Sequence, residues 1–199
     1  MLNDLPFSQA CENNKAPILS VLQQALQGCS LVLEVGGGTG QHAEYFATAL
    51  THLTWQTSDQ SIYLSDLSRR IQLAALANLP SPLLFDVSEQ LILQQKFDAV
   101  FSANTLHIMP WPVVEQFFAQ IGALTTADAT LCIYGPFKYA GKFTSDSNAR
   151  FDFSLKQRSA AMGIRDIEAV LTLAKQQGFH LIHDVAMPAN NQLLWFKAN

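Results

Sequence analysis

The sequence predicts an α/β fold, a mostly parallel seven-stranded sheet with helices on both faces and an antiparallel hairpin at its C-terminal end. Three observations lead there. Strand-like runs alternate with amphipathic helical segments along the chain, the order that produces βαβ units. The apolar run Leu31 to Val35 ends in Gly36, Gly37, Gly38 and Gly40 and then resumes at helical spacing, which reads as strand, tight turn and helix. The last two strand-like segments, His180 to Met187 and Gln192 to Lys197, are separated only by Pro188-Ala189-Asn190-Asn191. That link is too short for a parallel crossover, so the two strands must be antiparallel.

The elements follow in order. Pro17 opens a first helix whose Ile18, Val21, Leu22, Ala25 and Leu26 share one face, and Gly28 is suited to stop it. After the glycine turn, Ala43, Phe46, Ala47 and Leu50 repeat that stripe. The run Thr54 to Asp59 reads as a second strand and Ile62 to Leu79 as a third amphipathic helix. Leu83 to Val87 and Phe97 to Asn104 read as the third and fourth strands, followed by a helix using Val113, Val114, Phe117, Phe118 and Ile121. Thr130 to Tyr134 is a buried fifth strand, and a helix with Ile167, Val170, Leu171 and Ala174 ends at Gly178 before the closing hairpin.

Composition agrees with one globular domain over 1–199. The 199 residues are 49% apolar and 14% charged, with net charge −4, a balance that can bury a core. No apolar run approaches the roughly 18 residues of a membrane span, and the first residues carry Asp4 and Glu12 where a secretory leader is basic and then apolar. The expectation is a cytoplasmic protein. Cys11, Cys29 and Cys132 are odd in number and lack metal-ligand spacing, which predicts reduced thiols and no metal.

The glycine turn narrows the ligand. A dinucleotide turn needs G-x-G-x-x-G, and the third glycine position counted from Gly36 is Gln41. What stands here is an acid followed by G-x-G-x-G, Glu34 to Gly40. This resembles the first motif of class I S-adenosylmethionine (SAM) methyltransferases, in which the acid lies near the cationic end of the cofactor. Asp59 ends the second strand 21 residues after Gly38, close to the roughly 20-residue spacing of a ribose-binding acid. Asp86 follows the third strand, where the resemblance implies contact with the adenine amino group, and Asn104 to His107 enter the cleft after the fourth. Each acid alone could be a helix cap or turn residue; the ordered set is the signal.

Longer motifs extend the resemblance over nearly the whole chain. SQACENNKAPIL, GGGTGQH, NTLHIMPW, GPFKYAGKFTSDSNARFD, GIRDIE and MPANN together look like the methyltransferase-like 26 family, also filed as domain of unknown function number 938. The resemblance implies a Rossmann-like methyltransferase fold and a SAM site at Glu34, Gly36, Gly38, Gly40, Asp59, Asp86 and Asn104. It supplies no substrate. Two positions depart from the family pattern: Asn13 stands where arginine is usual, and a glycine stands within the turn where serine is usual.

Methyl transfer needs alignment and exclusion of water, and a base only when the acceptor carries a proton. His107 is the candidate catalytic base, because imidazole titrates near neutrality; the other reading is a histidine packed beside Trp111. His42, early in the second helix, reads as a structural residue on the cofactor side. The segment 135–163 is long for a connection and reads as a lid over the site, mobile when empty. From 138 to 165 the chain carries Lys138, Lys142, Arg150, Lys156, Arg158 and Arg165 against Asp146 and Asp152, net +4 beside −8 elsewhere. This predicts a small substrate bearing carboxylate or phosphate, held by Arg150 as a clamp with Lys142 and Asn148. The overall acidity opposes a nucleic-acid partner, and sequence does not set the oligomeric state. Two other functions stay open: a SAM-binding sensor without turnover, and an NAD-dependent oxidoreductase on the same sheet.

Overall fold

The computed structural model describes residues 5–198; Asp4, used above against a leader, lies outside them. The first strand, β1 (Leu31–Val35), is central and hydrogen-bonds in parallel to β2 (Thr54–Asp59) on one side and β4 (Phe97–Ala103) on the other. Beyond β2 lies β3 (Leu83–Leu84), and beyond β4 lie β5 (Thr125–Gly135), β10 (Asn191–Ala198) and β9 (Phe179–Met187). The seven-stranded order is β3-β2-β1-β4-β5-β10-β9. Only β10 is reversed, antiparallel to both β5 and β9. Chain order changes direction between β1 and β4, and such a switch point leaves a crevice outside the carboxyl ends of the strands.

Alternation along the buried strands sorts the core into two layers. Val32, Ala99, Phe101 and Cys132 face helices α1 (Gln9–Ala25), α2 (Gln41–Ala49) and α3 (Ser61–Ala74), where Phe46 and Trp55 pack with ring centroids 5.3 Å apart. Leu33, Val100, Leu131 and Ile133 face α4 (Trp111–Leu124) and α6 (Ile167–Gln176) through Phe117, Phe118 and Val170. Both faces of a parallel sheet are covered in this way. The Asp98 carboxylate accepts from the Ser30 and Leu31 amides at 2.8 and 2.9 Å, tying the start of β4 to the start of β1.

Several boundaries differ from the sequence reading. The first helix begins at Gln9, not Pro17: the Ser8 hydroxyl accepts from the Cys11 amide at 3.3 Å and caps it. Pro17 lies inside this helix. An interior proline costs about 3 kcal/mol, and burial of Ile18 and Leu22 at 0% exposure holds the helix across it. The third helix ends at Ala74, not Leu79, because Ala75 turns left-handed at φ 49°; Asn78 then bonds the Ala47 and Leu53 carbonyls at 2.9 and 3.0 Å. The third strand is two residues long, since Asp86 folds its carboxylate onto the Ser88 amide and ends the ladder.

The segment 135–163 is built of regular elements rather than irregular connection. It forms β6 (Phe137–Tyr139), β7 (Lys142–Phe143) and α5 (Asp146–Arg158), and with β8 (Arg165–Asp166) makes a separate sheet in the order β7-β6-β8. Ser145 caps α5 by accepting from the Asn148 amide, and Phe137 and Leu155 are buried beneath. Among the described residues no helix is long and apolar enough to cross a membrane.

Replacing Phe46 with alanine empties the most aromatic part of one layer. The expected loss is about 3–5 kcal/mol, read as a lower midpoint in urea unfolding with an unchanged slope.

Candidate active site

The carboxyl ends of β1, β2, β3, β4 and β5 open onto one cavity of about 990 Å³. Gly36 and Gly37 both donate to the Ser58 carbonyl at 3.0 Å, which folds the turn after β1 back against β2. The Ser102 hydroxyl donates to the Val35 carbonyl at 2.8 Å and lies 2.7 Å from the Thr105 hydroxyl, tying β4 to the same turn. The glycines divide the labour. A Cβ on Gly36, where φ is 78°, would meet Thr105 Cγ2 at 2.6 Å, and one on Gly40, where φ is 75°, would meet Leu67 and Arg70 at 2.9 Å. On Gly38, at φ 55°, a Cβ would meet no protein atom within 4 Å, because this residue faces the cavity. Gly40 does not line the cavity; it caps α2 and lets α3 approach.

Asp59 and Asp86 line the cavity at the tips of β2 and β3. Asp59 Oδ2 accepts from the Gly38 amide at 2.7 Å, and its Oδ1 accepts from Gln60 N at 2.7 Å. Burial raises its pKa above the ordinary carboxylate value. Asp86 accepts from the Ser88 amide and hydroxyl and from Gln60 Nε2, and the Ser88 hydroxyl holds its pKa down. Asn104 also lines the cavity, in a left-handed conformation at φ 59°. Glu34 is 2% exposed, lies beneath the turn rather than on the cavity wall, and accepts from Trp55 Nε1 at 3.0 Å.

His107 lines the cavity and is buried, with its ring edge-on to Phe151 at 5.3 Å. Trp111 lies under the Arg165 guanidinium. Of the three residues read as substrate ligands, only Asn148 lines the cavity. Its amide nitrogen donates to Thr144 Oγ1 at 2.8 Å and to the Asn190 carbonyl at 2.9 Å. Lys142 and Arg150 are exposed and stand outside the cavity wall, so the structure does not bring them to the clamp position. Among the described residues, no lysine or arginine lines the cavity.

A family described as "Protein of unknown function (DUF938)" matches residues 5–198. The chain belongs to that family. Among solved structures, it is similar to an O-methyltransferase family 2 protein from Planctomyces limnophilus in complex with apigenin, at 13% identity and TM-score 0.81, covering 94% of this chain and 57% of that one. It is also similar to human N-acetylserotonin methyltransferase with SAM, at 11% identity and TM-score 0.79, covering 96% and 53%. A third is the O-methyltransferase NcsB1 of neocarzinostatin biosynthesis, with SAM and 2-hydroxy-5-methyl naphthoic acid, at 16% identity and TM-score 0.77, covering 96% and 55%. The fold is thus the Rossmann-like fold of these methyltransferases, and the chain spans a little over half of each of them.

In this DUF938 chain both ends contribute to the wall, which the site reading from sequence did not include. Ser8, Cys11, Asn13 and Asn14 of the first helix and its cap line the cavity, as do Pro188 to Asn191 of the hairpin turn. Asn14 Oδ1 lies 2.6 Å from His42 Nε2, and Tyr134 is another lining residue. The available signal was polar: asparagines at Asn13, Asn14, Asn190 and Asn191 flank segments otherwise expected to pack, and asparagine is mostly exposed unless its amide is bonded.

Burial dominates the electrostatics. It pushes Glu34 up to about 7, helped by neighbouring Asp59 and opposed by the Trp55 hydrogen bond. Desolvation brings His107 down to about 4, and the positive charges of Arg165 and Arg158 act in the same direction. The imidazole is therefore neutral at physiological pH, able to accept a hydrogen bond but a weaker base than the near-neutral histidine the sequence suggested. Arg165 also holds the His107 turn in place: it donates to the Leu106 carbonyl at 2.9 Å, the Ala161 carbonyl at 3.0 Å and the Met109 carbonyl.

Two measurements follow from these charges. Glu34 binds its proton more tightly folded than unfolded, so it costs stability as pH rises from about 4.5 through about 7. In Glu34→Gln that cost disappears, and the stability difference between the two proteins should shift by about 3 kcal/mol over this range, as read by urea unfolding at each pH. Removing the cation beside the imidazole in Arg165→Met should raise the His107 pKa toward its ordinary value, whereas Arg165→Lys should leave it low; NMR titration of the histidine rings distinguishes them.

Proposed function

We propose that the protein is a SAM-dependent methyltransferase acting on a small molecule, of the methyltransferase-like 26 kind that its sequence resembles. One observation carries the reading: the Gly38 amide is bonded to the Asp59 carboxylate in a cavity lined by no lysine or arginine. In phosphate-binding turns such amides and the helix start cradle an anion. Here a carboxylate holds that amide, so a pyrophosphate would have to displace Asp59 and would find no cation in return. This disfavours NAD. A cofactor with a sulfonium and an ammonium group matches an acidic cavity.

The residues fit that cofactor in detail. Gly38 leaves open space where any side chain would intrude. Asp59 is suited to ribose hydroxyls and Asp86 and Gln60 to the base, while Glu34, which gives up its proton only at about pH 7, lies beneath the turn. When bound, SAM presents a methyl group that its positive sulfur makes electrophilic. The protein aligns the acceptor, excludes water and offers His107 to take the acceptor's proton. The structural neighbours bound to SAM and to small aromatic molecules support the same reading.

Calorimetry with S-adenosylhomocysteine tests it, with binding expected for that ligand and none for NADH. Asp59→Ala should weaken binding about 10–100-fold, the loss of hydrogen bonds to a charged group, and Gly38→Asn, whose side chain tolerates the left-handed φ of 55° better than a β-branched one, should weaken it by filling the open space. Binding of NADH in preference would sink the proposal.

A further inference from the structure

The cavity has two chemically different parts. Asp59 and Asp86 stand at the tips of β2 and β3, whereas His107 follows β4, two strand positions from β2 and so roughly 10 Å away at about 4.8 Å per strand. Around His107 the wall is largely apolar, with Thr105 and Asn148 as polar members: Ile108, Met109, Pro110 and Val113 continue the chain from it, Phe151 meets its ring, and Pro136 follows Gly135, whose Cβ position is 3.7 Å from His107 Nδ1. A volume of about 990 Å³ is at the upper end of the roughly 300–1,000 Å³ of single-ligand sites. It leaves room for a second molecule beside the cofactor.

We propose that this apolar part binds the methyl acceptor and selects an uncharged, largely apolar molecule that presents one hydrogen-bearing polar group to His107. The inference rests on the methyltransferase reading above and replaces the anionic substrate that the basic segment suggested. None of the six cations of that segment lines the cavity. Lys142 and Arg150 stand outside the wall, Lys156 pairs with Asp152 at 2.6 Å, and Arg165 is spent on three backbone carbonyls. An anion entering here would lose its water and gain no partner, with Asp59 and Asp86 in the same cavity. A cation would likewise lose its water against this apolar wall, with the carboxylates of Asp59 and Asp86 at the far strand tips. A neutral molecule avoids both penalties.

The probes are 1-naphthol and 1-naphthoate, matched in shape and different in charge at neutral pH. Each is titrated calorimetrically into the protein with and without S-adenosylhomocysteine. The expected result is binding of naphthol at least about tenfold tighter than naphthoate, the cost of burying an unpaired charge. Val113 sits in the first turn of α4, where an acid is tolerated, so Val113→Asp should fold, keep its affinity for S-adenosylhomocysteine and lose naphthol. Val113→Lys should gain naphthoate. Equal binding of the two probes, preference for naphthoate, or no naphthol binding would overturn the inference. Absent S-adenosylhomocysteine binding with the naphthol preference intact would instead overturn the cofactor reading and leave the charge selection standing.

Discussion

The hydrogen bond from the Gly38 amide to Asp59 is the contact on which the rest of the site depends. It joins the turn after β1 to the tip of β2, so the two central elements of one half of the crevice share a single geometry. It also sets the charge logic. A carboxylate placed where phosphate-binding turns hold their anion makes the crevice acidic, and every lining residue after that is acidic, neutral or a histidine driven neutral by burial.

The framework was legible because it obeys simple periodicities. Val32, Leu33, Val100, Phe101, Leu131 and Cys132 alternate between the two layers as buried parallel strands do, and the acids at Asp59 and Asp86 stand where strand tips place them. The misjudged parts are those in which packing overrules a local preference. Pro17 looked like a helix start, but Ser8 supplied a cap and the buried face of Ile18 and Leu22 carried the helix through it. Net charge misled in a similar way: six basic residues between 138 and 165 suggested an anion clamp, yet charge counted along a chain says nothing about direction. Arg165 points inward to backbone carbonyls and Arg150 points out. Glu34 was read as facing the ligand, and the indole of Trp55, on the neighbouring strand, takes its carboxylate instead.

The histidines of the cavity wall gain their properties from neighbours rather than from identity. His107 and His42 share a pKa near 4, but only the former lies among the apolar side chains after β4. His42 stacks on Phe46 at 5.2 Å and is engaged by Asn14, which fixes it as a support between α1 and α2. The same side chain is thus a bonded support in one place and borders an apolar wall in the other.

The cavity wall combines the first helix with the hairpin turn at 188–191, and β10 inserts between β5 and β9. During synthesis on the ribosome, the crevice is therefore incomplete until the final strand has emerged and threaded into the sheet. A nascent chain lacks one side of its pocket. Any small molecule that recognises this pocket distinguishes chains in which β10 has joined the sheet from those in which it has not, and it rewards completion of the sheet rather than any earlier stage of folding.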